Sequence, residues 1–140
     1  MKGFYIFAIL LTMMLGSCQQ KENTSDASQL LEEIKQLYAD GNYRETLDSI
    51  ESLRSKYPTA IEERRQALRL WQEASLKMAQ DDIAKTDSAL QATTRQMEAE
   101  TRIYERNMLG VKKDSLQARY EAMIGVVRMI RKRMEQSPLK

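Results

Sequence analysis

The chain has 140 residues, about one domain's worth, with 30% charged and only 6% aromatic side chains and a formal net charge of +2. Five Gly and two Pro are too few for the many tight turns of a barrel or a sandwich, so a mostly helical fold is expected. With no His and a single Cys, the chain cannot build a Cys/His zinc site, a Ser-His-Asp triad or a Cys-His pair.

Lys2 supplies a positive start, and residues 3–16 follow as an uncharged, largely apolar run too short to span a bilayer comfortably. Such a segment reads as a signal peptide over residues 1–17. Its end, Leu15-Gly16-Ser17-Cys18, resembles the lipobox of bacterial lipoproteins: an aliphatic residue, two small residues and a cysteine. That resemblance implies that Leu15, Gly16 and Ser17 are read by the lipoprotein signal peptidase. It also implies that Cys18 carries a diacylglycerol and an N-acyl chain, the only non-peptide groups expected. Two or three acyl chains give stable membrane attachment without a transmembrane helix. An ordinary secretory signal with Cys18 at its junction is the alternative. Gln19, where Asp would stand in a retained lipoprotein, resembles the default for the outer membrane of Gram-negative bacteria. Residues 18–26 are polar and featureless, as expected of a lipidated flexible tether.

Four stretches have the spacing of a helix-start capping box, in which a short polar side chain and a Glu or Gln three residues on satisfy orphan amides. They are Asp26 to Gln29, Asn42 to Glu45, Thr59 to Glu62 and Asp114 to Gln117. After the first, Leu30, Leu31, Ile34, Leu37 and Tyr38 fall on one helical stripe that Gly41 ends. After the second, Leu47, Ile50 and Leu53 form a stripe that Tyr57-Pro58 stops. The two predict a short antiparallel hairpin over residues 27–58.

From Thr59 to Met108 there is neither Gly nor Pro, which predicts a helix of about 75 Å unless it breaks near Gln80-Asp81-Asp82. Leu76, Ile83, Leu90, Met97, Tyr104 and Val111 recur every seven residues, but the positions four later are mostly polar, leaving half a coiled-coil seam. Leu76, Ile83 and Leu90 are therefore the candidate partner-binding seam. In the last helix Leu116, Tyr120, Met123, Val127, Ile130 and Met134 make a full seam until Ser137-Pro138. A fold-back at Gly110 would lay it against the long helix, so residues 59–136 are expected to form a second hairpin, with 137–140 a tail.

The motif Leu37, Gly41-Asn42-Tyr43, Thr46, Ile50 and Tyr57-Pro58 resembles a tetratricopeptide repeat. The stretch from Leu37 to Pro58 is similar to the opening repeat of periplasmic lipoproteins of the outer-membrane-assembly type. It departs from that pattern at Ile34, where the family has a glycine, and at Leu53, where it has a small alanine. The resemblance implies a scaffold that binds proteins and has no chemistry of its own; a generic helical hairpin also accounts for these residues. One unit is recognisable, with residues 60–79 as candidate first helix of a second.

Paired carboxylates at Glu32-Glu33, Glu62-Glu63 and Asp81-Asp82 point about 100° apart on a helix and read as solvated faces, not as metal ligands or acid-base pairs. No phosphate loop, nucleophile elbow or EF-hand loop is present, so no catalytic residue and no metal site is expected. Charge is uneven: residues 19–110 carry 13 basic against 17 acidic side chains, and residues 111–140 carry 8 against 3. Within the latter, Arg128, Arg131, Lys132 and Arg133 are candidates for contact with anionic lipid or cell-wall polymer, beside the plainer reading of a solubilising face. Trp71 and Tyr104 are read as packing residues. Met78, Met97, Met108, Met123, Met129 and Met134 are read as gap-fillers in a hairpin core, with an adaptable binding surface as the alternative.

The fold class expected is all-α: a short hairpin, a long helix and a C-terminal antiparallel helix, elongated and partly coiled-coil-like. The function expected is a lipid-anchored, non-catalytic interaction scaffold in the periplasm. Its partner would be another envelope protein or a second copy, with no nucleic acid, no small-molecule substrate and no cofactor beyond the acyl chains on Cys18.

Overall fold

A computed structural model describes residues 17–136, and their side chains from Ser25 onward. Four helices follow one another: α1 (Ser17–Ala39), α2 (Tyr43–Lys56), α3 (Ile61–Ala99) and α4 (Ile103–Gln136). No strand occurs among the described residues, so the all-α reading holds. The chain divides into two compact units, one ending at Trp71 and the other beginning at Gln72, so that α3 contributes to both.

In the first unit α1 and α2 pack side by side through the stripes expected of them. Leu31 and Ile34 from α1 and Ile50 and Leu53 from α2 are buried, joined by Ala27, Thr46, Ala60 and Ala67. Leu30, Tyr57 and Leu70 pack against this cluster from its edge. The first turns of α3 thus close a core that a two-helix hairpin alone would leave half-open. Ser28 Oγ donates a 2.8 Å hydrogen bond to Glu63 and ties α1 to the start of α3.

The α1–α2 turn is built by the backbone. Gly41 has φ 79°, the left-handed region that a residue without Cβ enters at no steric cost. Its N–H donates to the Tyr38 carbonyl at 3.1 Å, and the Asn42 N–H donates to the Leu37 carbonyl at 2.9 Å. This pair of bonds is a Schellman cap, which satisfies the last orphan carbonyls of α1. The Tyr38 and Tyr43 rings meet across the turn with centroids 5.6 Å apart. Thr46 is fully buried, and its hydroxyl is satisfied by a 2.7 Å bond to the Asn42 carbonyl.

None of the first, second and fourth capping boxes marks a side-chain-capped helix start. Asp26 lies inside α1, which begins at Ser17, because residues 18–25 contain neither Gly nor Pro to stop it. The stretch expected as a flexible tether is therefore helical. Asn42 makes no side-chain cap bond, since its backbone is already committed to the Schellman turn. At the third box it is the Ala60 carbonyl, not Thr59, that accepts the first intrahelical bond, from Arg64 N at 3.0 Å. Asp114 lies inside α4.

In the second unit α3 runs unbroken past Gln80-Asp81-Asp82 as far as Ala99, and the chain turns at residues 100–102. The Glu100 carboxylate accepts the Arg102 backbone N–H at 2.9 Å and its Nε–H and Nη2–H at 3.1 Å each. The Arg102 carbonyl then accepts from Arg106 N at 2.9 Å and starts α4. The fold-back expected at Gly110 is thus eight residues early. Gly110 lies within α4 without a positive φ, and a Cβ there would stand 4.0 Å from Met97 Sδ. It makes no turn, and there is room for a side chain at this position.

With the turn at 100–102, α4 returns antiparallel along α3: Asp82 meets Arg119 at 3.8 Å, and Met97 meets Gly110. The face it covers on α3 carries Ala79, Thr86 and Thr93, all buried, each three residues after Leu76, Ile83 and Leu90. These two series form a regular coiled-coil stripe with one large and one small residue per heptad. On α4, Leu116, Tyr120, Met123, Val127, Ile130 and Met134 are all half-buried, as their seam predicts. No residue of α4 is fully buried, as befits a helix covered on one side only.

Candidate interaction surfaces

The expected site residues fall in three places. Leu15 and Gly16 lie outside the described residues, and so do the side chains of Ser17 and Cys18. Leu76, Ile83 and Leu90 are half-buried on the face of α3 that α4 covers. The seam expected to await a partner is filled from within the chain, because its small companions three residues on complete the heptad. Arg128, Arg131, Lys132 and Arg133 are exposed on the last turns of α4. Arg128, Arg131 and Lys132 border a shallow cleft with Ile124, Val127 and Glu135, so this basic run carries apolar surface beside its charge.

Two aromatic residues read as packing are on the surface. Tyr104 is 72% exposed and Trp71 37%. Tyr104 leaves the seven-residue seam because the turn at residues 100–102 separates it from Leu90 and Met97. It shares the uncovered face of α4 with Met108 and Val111, which are 52% and 67% exposed. Their spacing of four and three keeps them on one line. Met108 and Met129, both exposed, do not fill the hairpin core.

Trp71 belongs to a second surface, within the first unit. Ile61 and Leu68 lie on the same side of α3, exposed at 71% and 38%, about 100° around the helix from the buried Ala60, Ala67 and Ala74. With Ile50, Arg54, Arg64 and Arg65 they line a cleft of about 310 Å³ between α2 and α3. The cleft continues along α2 past Leu47, Asp48 and Glu51. The legible signal is that the start of α3 carries a small alanine stripe bordered by Trp71 and, about a quarter turn on, the large Ile61 and Leu68. Only one of the two can enter the core of a three-helix unit.

The titratable groups are those of a solvated surface. No cluster of acidic or Cys side chains able to hold a metal occurs among the described residues. The Glu100 carboxyl is held at about 2 by its hydrogen bonds from Arg102, and that same pairing raises the Arg102 guanidinium. Lys85 is raised by its hydrogen bond to Asp81. Both pairs are local in sequence, so they stabilise a turn and a helix face. Lys35 with Glu32 and Arg65 with Glu62 are exposed pairs one turn apart.

No helix among the described residues is long and apolar enough to cross a membrane. No protein-family model matches the chain, and no curated protein or solved structure shows significant similarity to it.

Proposed function

We propose that this chain is a non-catalytic helical scaffold of the bacterial envelope, held on the membrane through an acylated Cys18 and binding another protein with its uncovered helix faces. The observation that carries this reading is the row Tyr104, Met108 and Val111, large apolar side chains between 52% and 72% exposed on one line of a regular helix. Large apolar side chains in an exposed row mark an interaction surface more often than a solvated one. The box from Leu15 to Cys18 and the residue Gln19 support attachment to the outer membrane, facing the periplasm. The hairpin over residues 27–58, with its Gly41-Asn42-Tyr43 turn, supports a tetratricopeptide-like adaptor.

The test is site-specific photocrosslinking in cells from positions 104 and 111 of the full chain, with Met108→Asp as control. A discrete adduct, lost in Met108→Asp while α-helix content is unchanged, is expected. No adduct from either position refutes the reading. Cys18→Ala is expected to move the protein from the membrane to the soluble fraction, and retention in the membrane would refute the anchor.

A second reading rests on Arg128, Arg131 and Lys132 bordering apolar Ile124 and Val127. Such a face suits an anionic lipid surface or a cell-wall polymer. Replacing the four basic residues of this run with Gln is expected to abolish salt-sensitive binding to anionic vesicles; unchanged binding would dispose of it.

A further inference from the structure

Within the first unit, α1, α2 and the start of α3 surround one core, yet among the described residues the cleft between α2 and α3 opens outward. Ile50, 1% exposed, belongs to that core and forms its floor. Leu68 and Trp71 form one wall, and Ile61, 71% exposed, stands on the rim.

Arg54 and Arg64 line the cleft along its whole length, and the acidic residues join them only along α2. Arg54, Arg64 and Arg65 are the only charged residues lining the Ile61 end, whereas Asp48 and Glu51 line the far end along α2. Arg65 is paired with Glu62 at 2.5 Å. Arg54 is exposed with no acidic partner among the described residues. Arg64 spends Nη1 on the Pro58 carbonyl, and its Nε–H is buried without an acceptor among the described residues, so neither nitrogen is offered to a partner. Arginines grouped beside an apolar cleft suit a carboxylate that arrives with apolar side chains attached.

We infer that the α2–α3 cleft is a docking groove for an amphipathic helix of another protein, one whose apolar ridge covers Ile50, Leu68 and Trp71 and whose acidic residues meet Arg54 and Arg64. The occupant is acidic at the Ile61 end, since Asp48 and Glu51 repel carboxylates at the other. It lies in the groove as a helix, with anchors at intervals of three and four residues matching Ile61, Leu68 and Trp71 along α3. This inference rests on the scaffold reading above and names the partner chemistry of one of its faces.

Trp71 is the only tryptophan in the chain, so the groove carries its own reporter. The full-length protein in non-ionic detergent micelles is titrated with a synthetic amphipathic helix of about 18 residues, long enough to hold helical structure. The peptide has a Leu ridge and Glu in its first two turns. A saturable blue shift of Trp71 emission is expected. The double variant Arg54→Gln/Arg64→Gln should weaken binding about tenfold or more, and so should raised salt. Because Arg64 also holds the Pro58 carbonyl, Ile61→Asp supplies an independent check: a rim residue this exposed leaves the fold intact, and the same loss of affinity is expected.

Binding of a peptide with Lys in place of Glu at equal strength, indifference to both sets of variants, or no binding overturns the groove. An equal Trp71 shift on anionic vesicles of phosphatidylglycerol would assign the surface to lipid and overturn it too. Photocrosslinking separates this failure from that of the scaffold reading. Adducts from positions 104 and 111 with none from position 68 would leave the scaffold standing and remove this groove. An adduct from position 68 that maps to an acidic amphipathic helix of the captured protein supports it.

Discussion

Replacing Gly110 by Ala distinguishes two accounts of the second unit by the sign of its effect. Within α4, Gly110 has no positive φ, and a Cβ would meet only Met97 Sδ, at 4.0 Å, an ordinary van der Waals distance. Gly in a helix interior is about 0.8–1.0 kcal/mol less favourable than Ala, so Gly110→Ala should stabilise by about that amount. At the size of this chain the gain corresponds to about 3–6 °C in Tm. Gly41→Ala is the matched control. There φ is 79°, and an L-residue with a Cβ is strained, at a cost of about 1–2 kcal/mol. Thermal and urea unfolding followed by circular dichroism at the helix band measures both. The reasoning is refuted if Gly110→Ala lowers stability as Gly41→Ala does, because that result places a left-handed turn at Gly110 and unmakes the fold-back at residues 100–102.

Two further outcomes follow from the same geometry. Leu53 is fully buried at the meeting of α1, α2 and α3, so Leu53→Ala should destabilise by about 3 kcal/mol, read as a lower urea midpoint; a change under about 1 kcal/mol would mean that the first unit has no packed core there. The Glu100 carboxyl is depressed from 4.5 to about 2, so its contribution to the turn is complete above pH 4.5 and is lost as pH falls towards 2. The Arg102 amide proton, which donates to that carboxylate, should report a titration centred near 2 by NMR, and Glu100→Gln should abolish it; a midpoint near 4.5 would show that the fork does not form.

Periodicity along the chain is enough to determine the helices and most of the buried stripes. Leu31, Ile34, Ile50 and Leu53 enter a core because a spacing of three and four puts them on one face of each helix, and that is a property of local geometry. The Gly41 turn is legible for the same reason: only a residue without Cβ takes its φ cheaply. Capping boxes are less informative. Their spacing occurs by chance in a chain this rich in polar residues, and a helix continues through Asp26 and Asp114 because nothing there breaks it.

The position of one turn and the packing it brings decided what helical periodicity does not specify. Glu100 and Arg102 close the turn by a side-chain fork, and Gly110 lies within α4 with room for a Cβ. Moving that turn by eight residues changes the partner of every residue on α4: it closes the seam of Leu76, Ile83 and Leu90 with the chain's own helix and leaves Tyr104, Met108 and Val111 outside. In the same way, Ile61, Leu68 and Trp71 are apolar enough for a core, but the small alanine face of α3 packs there in their place. A helix can bury only the faces its neighbours reach, and the number of neighbours is set by the fold as a whole, not by the segment. The sequence names the apolar faces; the packing determines which are left open to a partner.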